Sequence, residues 1–195
     1  MRQFVIVGHD APASSEFSLD ALASGAGRMD LLSRAVNAAL LVSHGIREHV
    51  RVHLVLDGVT VSIDGATVRN LHPDERSIAA LIRSALADRA DAIGHQPAEP
   101  APGVAVYRMG LATTLDRLDG TVVQLHEDGD PAIEASIPSD PVFVLSDHHD
   151  FTDEEVDVLA ERADSRVRLG PTALHADHAI SVAHNWLDTE GYTRY

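Results

Sequence analysis

The feature that most constrains this chain is a repeated switch between two apolar periods. Short β-branched and aromatic runs are separated by stretches in which apolar residues recur every three or four positions. Residues 2–8 contain Phe4-Val5-Ile6-Val7, a run suited to a buried strand, and Gly8-His9-Asp10-Ala11-Pro12 ends it. A polar, Ser-rich loop leads to about Asp20. From Met29 to Leu41, apolar residues at 32, 36, 39 and 40 have helical spacing. Residues 49–56 alternate through Val50, Val52, Leu54 and Leu56, Asp57-Gly58 signals a hairpin, and Val59–Ile63 returns to a second turn at Asp64-Gly65. A helix is expected over 75–91, with Ile78, Leu81, Ile82, Ala85 and Leu86 on one face and Asp74 near its N-cap.

Pro97, Pro100 and Pro102 make residues 96–103 an expected irregular connector inside one domain. Beyond it, strands at 104–107, 122–125, 142–145 and 166–169 alternate with helices at 111–118, 153–163 and 173–188. This alternation predicts an α/β fold, a mainly parallel sheet with helices on both faces, in a single domain covering residues 1–195. The hairpin near 57–63 adds an antiparallel pair. A chain of 195 residues buries a sufficient core without covalent staples.

Cysteine is absent, so disulfides and thiolate zinc sites are excluded. The opening run is too short for a signal peptide, and no apolar stretch reaches the roughly 20 residues that span a bilayer. A soluble, cytoplasmic protein without a membrane partner is expected. The formal charge is −15, and all 15 basic residues are arginine. Such an acidic, lysine-free chain suits a salt-loving organism, where the screening length falls to about 3 Å at 1 M salt. An acidic protein adapted to ordinary salt is the alternative. At low salt this charge opposes nucleic-acid binding, and at molar salt the objection weakens.

Three apolar strands in the C-terminal half end in unusual sequences. Leu125 precedes His126-Glu127-Asp128-Gly129, Leu145 precedes Ser146-Asp147-His148-His149, and Leu169 precedes Gly170-Pro171-Thr172. Ligands of open α/β sheets bind outside the carboxyl ends of the strands, so these ends can line one crevice. They can equally be three surface turns. The 12 histidines raise a metal question. Adjacent His148 and His149 cannot face the same way on a strand, and His175 and His178 lack the i, i+4 spacing and neighbouring Glu of a zinc-protease helix. No metal site is expected. The chain has no dinucleotide fingerprint, phosphate loop or serine-hydrolase elbow. The last helix presents Leu174, Ala176, Ala179, Ile180, Ala183, Trp186 and Leu187, a face for the core or for the core plus a dimer contact.

The three strand ends carry a resemblance. Val123–Gly129, Val142–His148 and the run from Leu169-Gly170-Pro171 to His178 resemble the SPOUT methyltransferases, within them the archaeal tRNA pseudouridine(54) N1-methyltransferases. Gly25-Ala26-Gly27-Arg28-Met29-Asp30, continuing to Ala38, resembles the same family's N-terminal signature. The likeness covers most of the chain in matching order. It implies a C-terminal trefoil knot, a homodimer, tRNA as partner and S-adenosyl-L-methionine as methyl donor. By position it implies a donor cradle of Leu125, Ser146, Leu169, Gly170, Pro171, Thr172, Ala173 and Leu174, with Ala179 at its edge. Ser146 replaces the family's usual glycine and Ala179 its usual cysteine.

The expected chemistry needs no metal, because a sulfonium methyl is already activated and the protein mainly positions it. For the substrate's N1 proton, Asp30 is the candidate acceptor or orienting group, with Arg28 holding a phosphate or base carbonyl. An ordinary helix N-terminus is the alternative for this pair. Arg2, Arg28, Arg34, Arg108 and Arg168 are candidates for RNA contact. The same chemistry on ribosomal RNA, a non-catalytic acidic binding protein on the same fold, and a His-rich metalloenzyme are the competing functions.

Overall fold

A computed structural model describes residues 1–195. Strand β1 (Arg2–Gly8) lies inside an eight-stranded sheet with β4 (Val50–Leu56), β5 (Val59–Asp64), β6 (Ala98–Ala101), β7 (Val104–Tyr107), β8 (Thr121–Pro131), β9 (Pro141–Ser146) and β10 (Ser165–Arg168). Between β1 and β4 come helix α1 (Met29–Leu40) and a two-stranded ribbon of β2 (Leu41–Val42) and β3 (Gly45–Ile46). The other helices are α2 (Glu75–Ala87), α3 (Leu111–Leu115), α4 (Asp153–Arg162) and α5 (Ala176–Asp188). The spatial order is β10-β8-β9-β1-β4-β5-β7-β6. All neighbours from β10 to β4 run parallel, and those from β4 to β6 run antiparallel.

The continuous apolar run of β1 follows from this placement. Phe4 and Ile6 join the larger core with residues of α1, α2 and α5, while Val5 and Val7 join a smaller core with Leu111, Leu115 and Leu159 on the opposite face. Phe4 stacks on Phe143 of β9, and Trp186 of α5 packs against Phe143 from above. Trp186 is fully buried within one chain, so it serves the core and offers no surface to a second copy.

Several boundaries differ from the sequence expectation. Residues 98–101 form an edge strand on β7, with its missing proline donor tolerated at the outer edge. The helix expected over 75–91 stops at Ala87 and gives way to a 3₁₀ turn at Arg89–Asp91. Its N-cap is as expected, with the Asp74 carboxylate accepting from the Ser77 backbone N–H at 2.8 Å. The helix expected over 111–118 ends at Leu115. The last helix begins at Ala176 instead of 173, which leaves residues 170–175 irregular.

The largest difference concerns the expected loop at His126–Gly129, which is strand. β8 continues to Pro131, shifting register to pair Asp130 with Val167 and Pro131 with Arg168. Gly129 permits this approach, because a Cβ there would lie 2.6 Å from the Val167 backbone.

Candidate active site

β9 and β10 end at one edge of the sheet, where β8 has left its pairing with β9 after Gln124. A cavity of about 330 Å³ opens there. Leu125, Ser146, Leu169, Gly170, Thr172, Ala173, Leu174 and Ala179 all line it, so eight of the nine positions singled out in the sequence come together. Pro171 is exposed and does not line the cavity. Its fixed φ serves the turn, where residues 170–175 leave β10 before α5 starts.

The cavity suits a partly apolar ligand with a polar edge. Leu125, Leu145 and Val167 form a buried apolar floor, and Leu174 stands 42% exposed at its mouth, a large apolar side chain left without cover. A Cβ on Gly170 would meet nothing within 4 Å. Its backbone therefore faces open space that a ligand can approach closely. The volume falls at the lower end of ordinary small-molecule sites, about 300–1,000 Å³.

The β9 loop is held from below. Asp147 Oδ2 accepts the His9 backbone N–H at 2.9 Å, Oδ1 accepts the His149 backbone N–H at 3.0 Å, and the His9 ring Nδ1 lies 2.9 Å from Oδ1. The other His9 nitrogen is 2.9 Å from Glu155 Oε2. Glu155 also closes the N-terminus of α4 in a capping box with Thr152. Burial opposes the charge on Asp147, but the hydrogen bonds from His149 and His9 outweigh it and hold the carboxyl below its usual range. Burial also opposes a charged His9. Its hydrogen bonds to Asp147 and Glu155 prevail and raise its affinity for a proton. The Ser146 hydroxyl donates to the His149 carbonyl, giving the residue in the glycine position a role within the loop.

Arg28 and Asp30 sit where the Gly25–Gly27 loop enters α1. A Cβ on Gly27 would fall 1.8 Å from the Asp10 carbonyl oxygen, and its φ is +53°, so glycine alone lets this loop dock on the β1 turn. Arg28 follows in the left-handed region at φ 60°, unusual for a side-chain-bearing residue. Its Nε and Nη2 reach Asp30 Oδ1 and Oδ2 at 3.0 Å each, a bidentate pair. Asp30 is 5% exposed. Burial works against its charge, yet the Arg28 bonds and the Arg34 charge keep its carboxyl below the usual range. That makes Asp30 a weak proton acceptor and a firm anchor for Arg28. The charge of Asp147 also acts on Arg28, which brings this pair to the same end of the sheet as the cavity.

Sequence reading missed His9, Asp10 and Glu155 as parts of the site. The signal lay in Gly8-His9-Asp10, polar residues ending a doubly buried parallel strand. It also misjudged the adjacent histidines. His148 and His149 lie in a bend after β9, free of strand alternation, and both rings turn towards Asp10.

Residues 1–192 match the family described as "Putative SAM-dependent RNA methyltransferase". The chain belongs to this family. A curated relative from Haloferax volcanii, named tRNA (pseudouridine(54)-N(1))-methyltransferase, is 63% identical, with each chain covered fully. Relatives of the same name from Haloarcula marismortui and Methanocella arvoryzae are 64% and 43% identical, the former over the whole of both chains and the latter over 95% of this chain and 97% of its own. Among solved structures, Archaeoglobus fulgidus Nep1 bound to S-adenosylhomocysteine superposes with a TM-score of 0.67 at 15% identity, covering 97% of this chain and 98% of that one. This last likeness establishes a shared α/β fold. As a family member the chain uses S-adenosylmethionine as methyl donor.

Proposed function

We propose that the protein methylates N1 of pseudouridine at position 54 in the T-loop of tRNA. Full-length identity of 63% with the Haloferax relative of that name carries the reading. The cavity at the strand ends supports it, since its open glycine backbone and apolar walls fit the donor's adenosine and the carbon chain beside its sulfonium.

In this reading Leu125, Leu169 and Leu174 wall the donor, Gly170 lets main chain approach it, and Ser146, Thr172 and Ala173 shape the polar side. Ala179 closes the edge without a thiol, so no cysteine nucleophile takes part. The donor supplies a methyl group activated by its sulfonium. The protein's own task is orientation and water exclusion. Arg28, fixed by Asp30, presents its guanidinium to a base carbonyl or phosphate, while Asp30 orients N1–H through the same pair. With its low proton affinity, Asp30 would hold the N1 proton only transiently and pass it to water as N1 takes the methyl group.

β10 returns beside β8, past β9, before α5 crosses to the face that holds α1, which is consistent with a C-terminal trefoil knot. A homodimer is the family expectation, and Val42, a large apolar residue left exposed on β2 beside the groove between α1 and α5, is where a second copy could pack. The acidic, lysine-free composition is read as adaptation to high salt, and the cytoplasm as the place of action. No helix is long and apolar enough to cross a membrane.

The test is methylation of two tRNA transcripts by the purified full chain with labelled donor, one carrying pseudouridine and the other uridine at position 54. Label confined to N1 of the pseudouridine is expected. Label at another nucleotide, or none, overturns the assignment.

A further inference from the structure

The β1 and β9 loops meet in a cluster of imidazole and carboxylate groups at the cavity rim. Asp10, His148 and His149 bring one carboxylate oxygen and two imidazole nitrogens within 4.8 Å of one another. His149 Nε2 lies 2.8 Å and His148 Nε2 3.6 Å from the same Asp10 Oδ2. Ligands about 2.0–2.1 Å from a tetrahedral ion stand roughly 3.3 Å apart, so these separations bracket the required spacing. A second observation concerns orientation. The far nitrogen of His148, Nδ1, faces Asp147 Oδ2 at 3.5 Å. Asp147 is itself fixed by the His9 and His149 backbone N–H groups. A carboxylate behind an imidazole is the usual support of a metal-ligating histidine, because it sets the tautomer and leaves the opposite nitrogen free.

We infer that Asp10, His148 and His149 form a binding site for one borderline divalent transition ion of the zinc class, with an open fourth position for water. Two imidazoles and a single carboxylate select such an ion over magnesium or calcium, which prefer oxygen ligands. The ion joins the turn after β1 to the bend after β9, and His148 and His149 are also part of the cavity lining. Its role is to fasten the cavity rim. It takes no part in methyl transfer, and the inference does not rest on the tRNA assignment.

The test uses the full chain, stripped with chelator and titrated with zinc chloride by calorimetry, with cobalt(II) chloride absorption as a report on geometry. One equivalent per chain is expected, together with a higher melting temperature. D10N, H148Q and H149Q should each weaken binding by about tenfold or more. The control is H175Q/H178Q, which removes another histidine pair, with rings 6.2 Å apart beside Asp177. This variant should bind zinc as the parent does. Circular dichroism melts of the metal-free proteins establish that each variant folds. Three outcomes overturn the inference: no stoichiometric binding, loss that follows the control pair, or a folded D10N as tight as the parent. The last would leave an Asp–His hydrogen-bond cluster only.

Discussion

Asp147 and His9 are joined twice, through backbone and through side chain. One carboxylate oxygen takes the His9 N–H at 2.9 Å, and the other lies 2.9 Å from its ring. The Asp147 side chain is 1% exposed, so removing the imidazole leaves a buried charge short of a partner. His9→Ala should lower unfolding free energy by about 2–3 kcal/mol, the scale of a buried charge-assisted bond. Because the β9 loop lines the cavity, donor affinity should also fall about tenfold, equivalent to about 1.4 kcal/mol. Denaturant melts and calorimetry with S-adenosylmethionine measure the two effects. Full donor affinity in a destabilised variant would limit this link to stability.

Gly170 separates the cavity from the fold. An added Cβ meets no protein within 4 Å, and Gly170 lines the cavity, so a large side chain there is expected to compete with the donor without disturbing the fold. Gly170→Leu should reduce donor affinity about a hundredfold, as overpacking by about 3 kcal/mol implies. Stability should change by no more than about 0.5 kcal/mol, as for other substitutions that touch nothing. Donor binding at parental strength would remove the β10–α5 turn from the site.

What the sequence made legible follows from where period and function agree. The β1 run and the α1 spacing reported their burial directly, since Phe4 and Leu32 must both leave water. The cavity residues Leu125, Leu169 and Leu174 were picked out by the family resemblance of the three segments that carry them, with Leu125 and Leu169 also standing at the ends of apolar runs. The extension of β8 was hidden, because its second half carries His126, Glu127 and Asp128, side chains that favour no buried strand. Only the backbone approach at Gly129 makes that pairing possible, and a lone glycine reads as a turn. The His9–Asp147–Glu155 group was invisible for another reason. Its members are 138 and 146 residues apart, and only the neighbouring β1 and β9 bring them together.

Two buried histidines set the acid limb of stability. Burial, then the Arg47 and Arg2 charges, pushes His184 down to about 4, and burial, then Arg51, pushes His53 to about 3. His184 is committed on both sides, with Nε2 3.0 Å from the Ala39 carbonyl and Nδ1 3.1 Å from Arg2 Nη1. The unfolded chain takes up these protons near pH 6.5, whereas the native chain refuses them until lower pH. Stability therefore falls as pH drops from about 6.5 towards 4, each histidine contributing at most about 1.4 kcal/mol per pH unit. His9 has the opposite sign. Its raised value contributes fully below about 6.5 and is lost above it, outside that window. His184→Gln should flatten the slope between pH 6.5 and 4.5 in denaturant melts. An unchanged slope would place the acid sensitivity elsewhere.

The Arg28–Asp30 pair separates turnover from donor binding. Asp30→Asn keeps the shape of the side chain while removing the charge that holds the guanidinium in place. Turnover on tRNA should fall about a hundredfold, the scale of one misplaced acid–base or orienting group. Donor affinity should stay near the parental value, because neither residue lines the cavity. Single-turnover kinetics and calorimetry divide the two. Parental turnover in D30N would return the pair to the role of an ordinary helix entrance.

Electrostatics predict an RNA interface built from few free cations. Of the five arginines considered, Arg2 is paired with Asp188, Arg28 with Asp30, and Arg34 with Asp30, Glu75 and Asp177. Arg108 and Arg168 are exposed and make no ion pair, and Arg168 stands at the cavity. A chain of net charge −15 thus gains little from counterion release. With about two net phosphate contacts, the logarithm of tRNA affinity should fall with the logarithm of salt at a slope of about 1.4–1.8. Arg108→Ala and Arg168→Ala should each reduce that slope by nearly one. A parental slope of about 6 would mean that arginines beyond these five, such as Arg117 and Arg166, which also make no ion pair, contact phosphates as well.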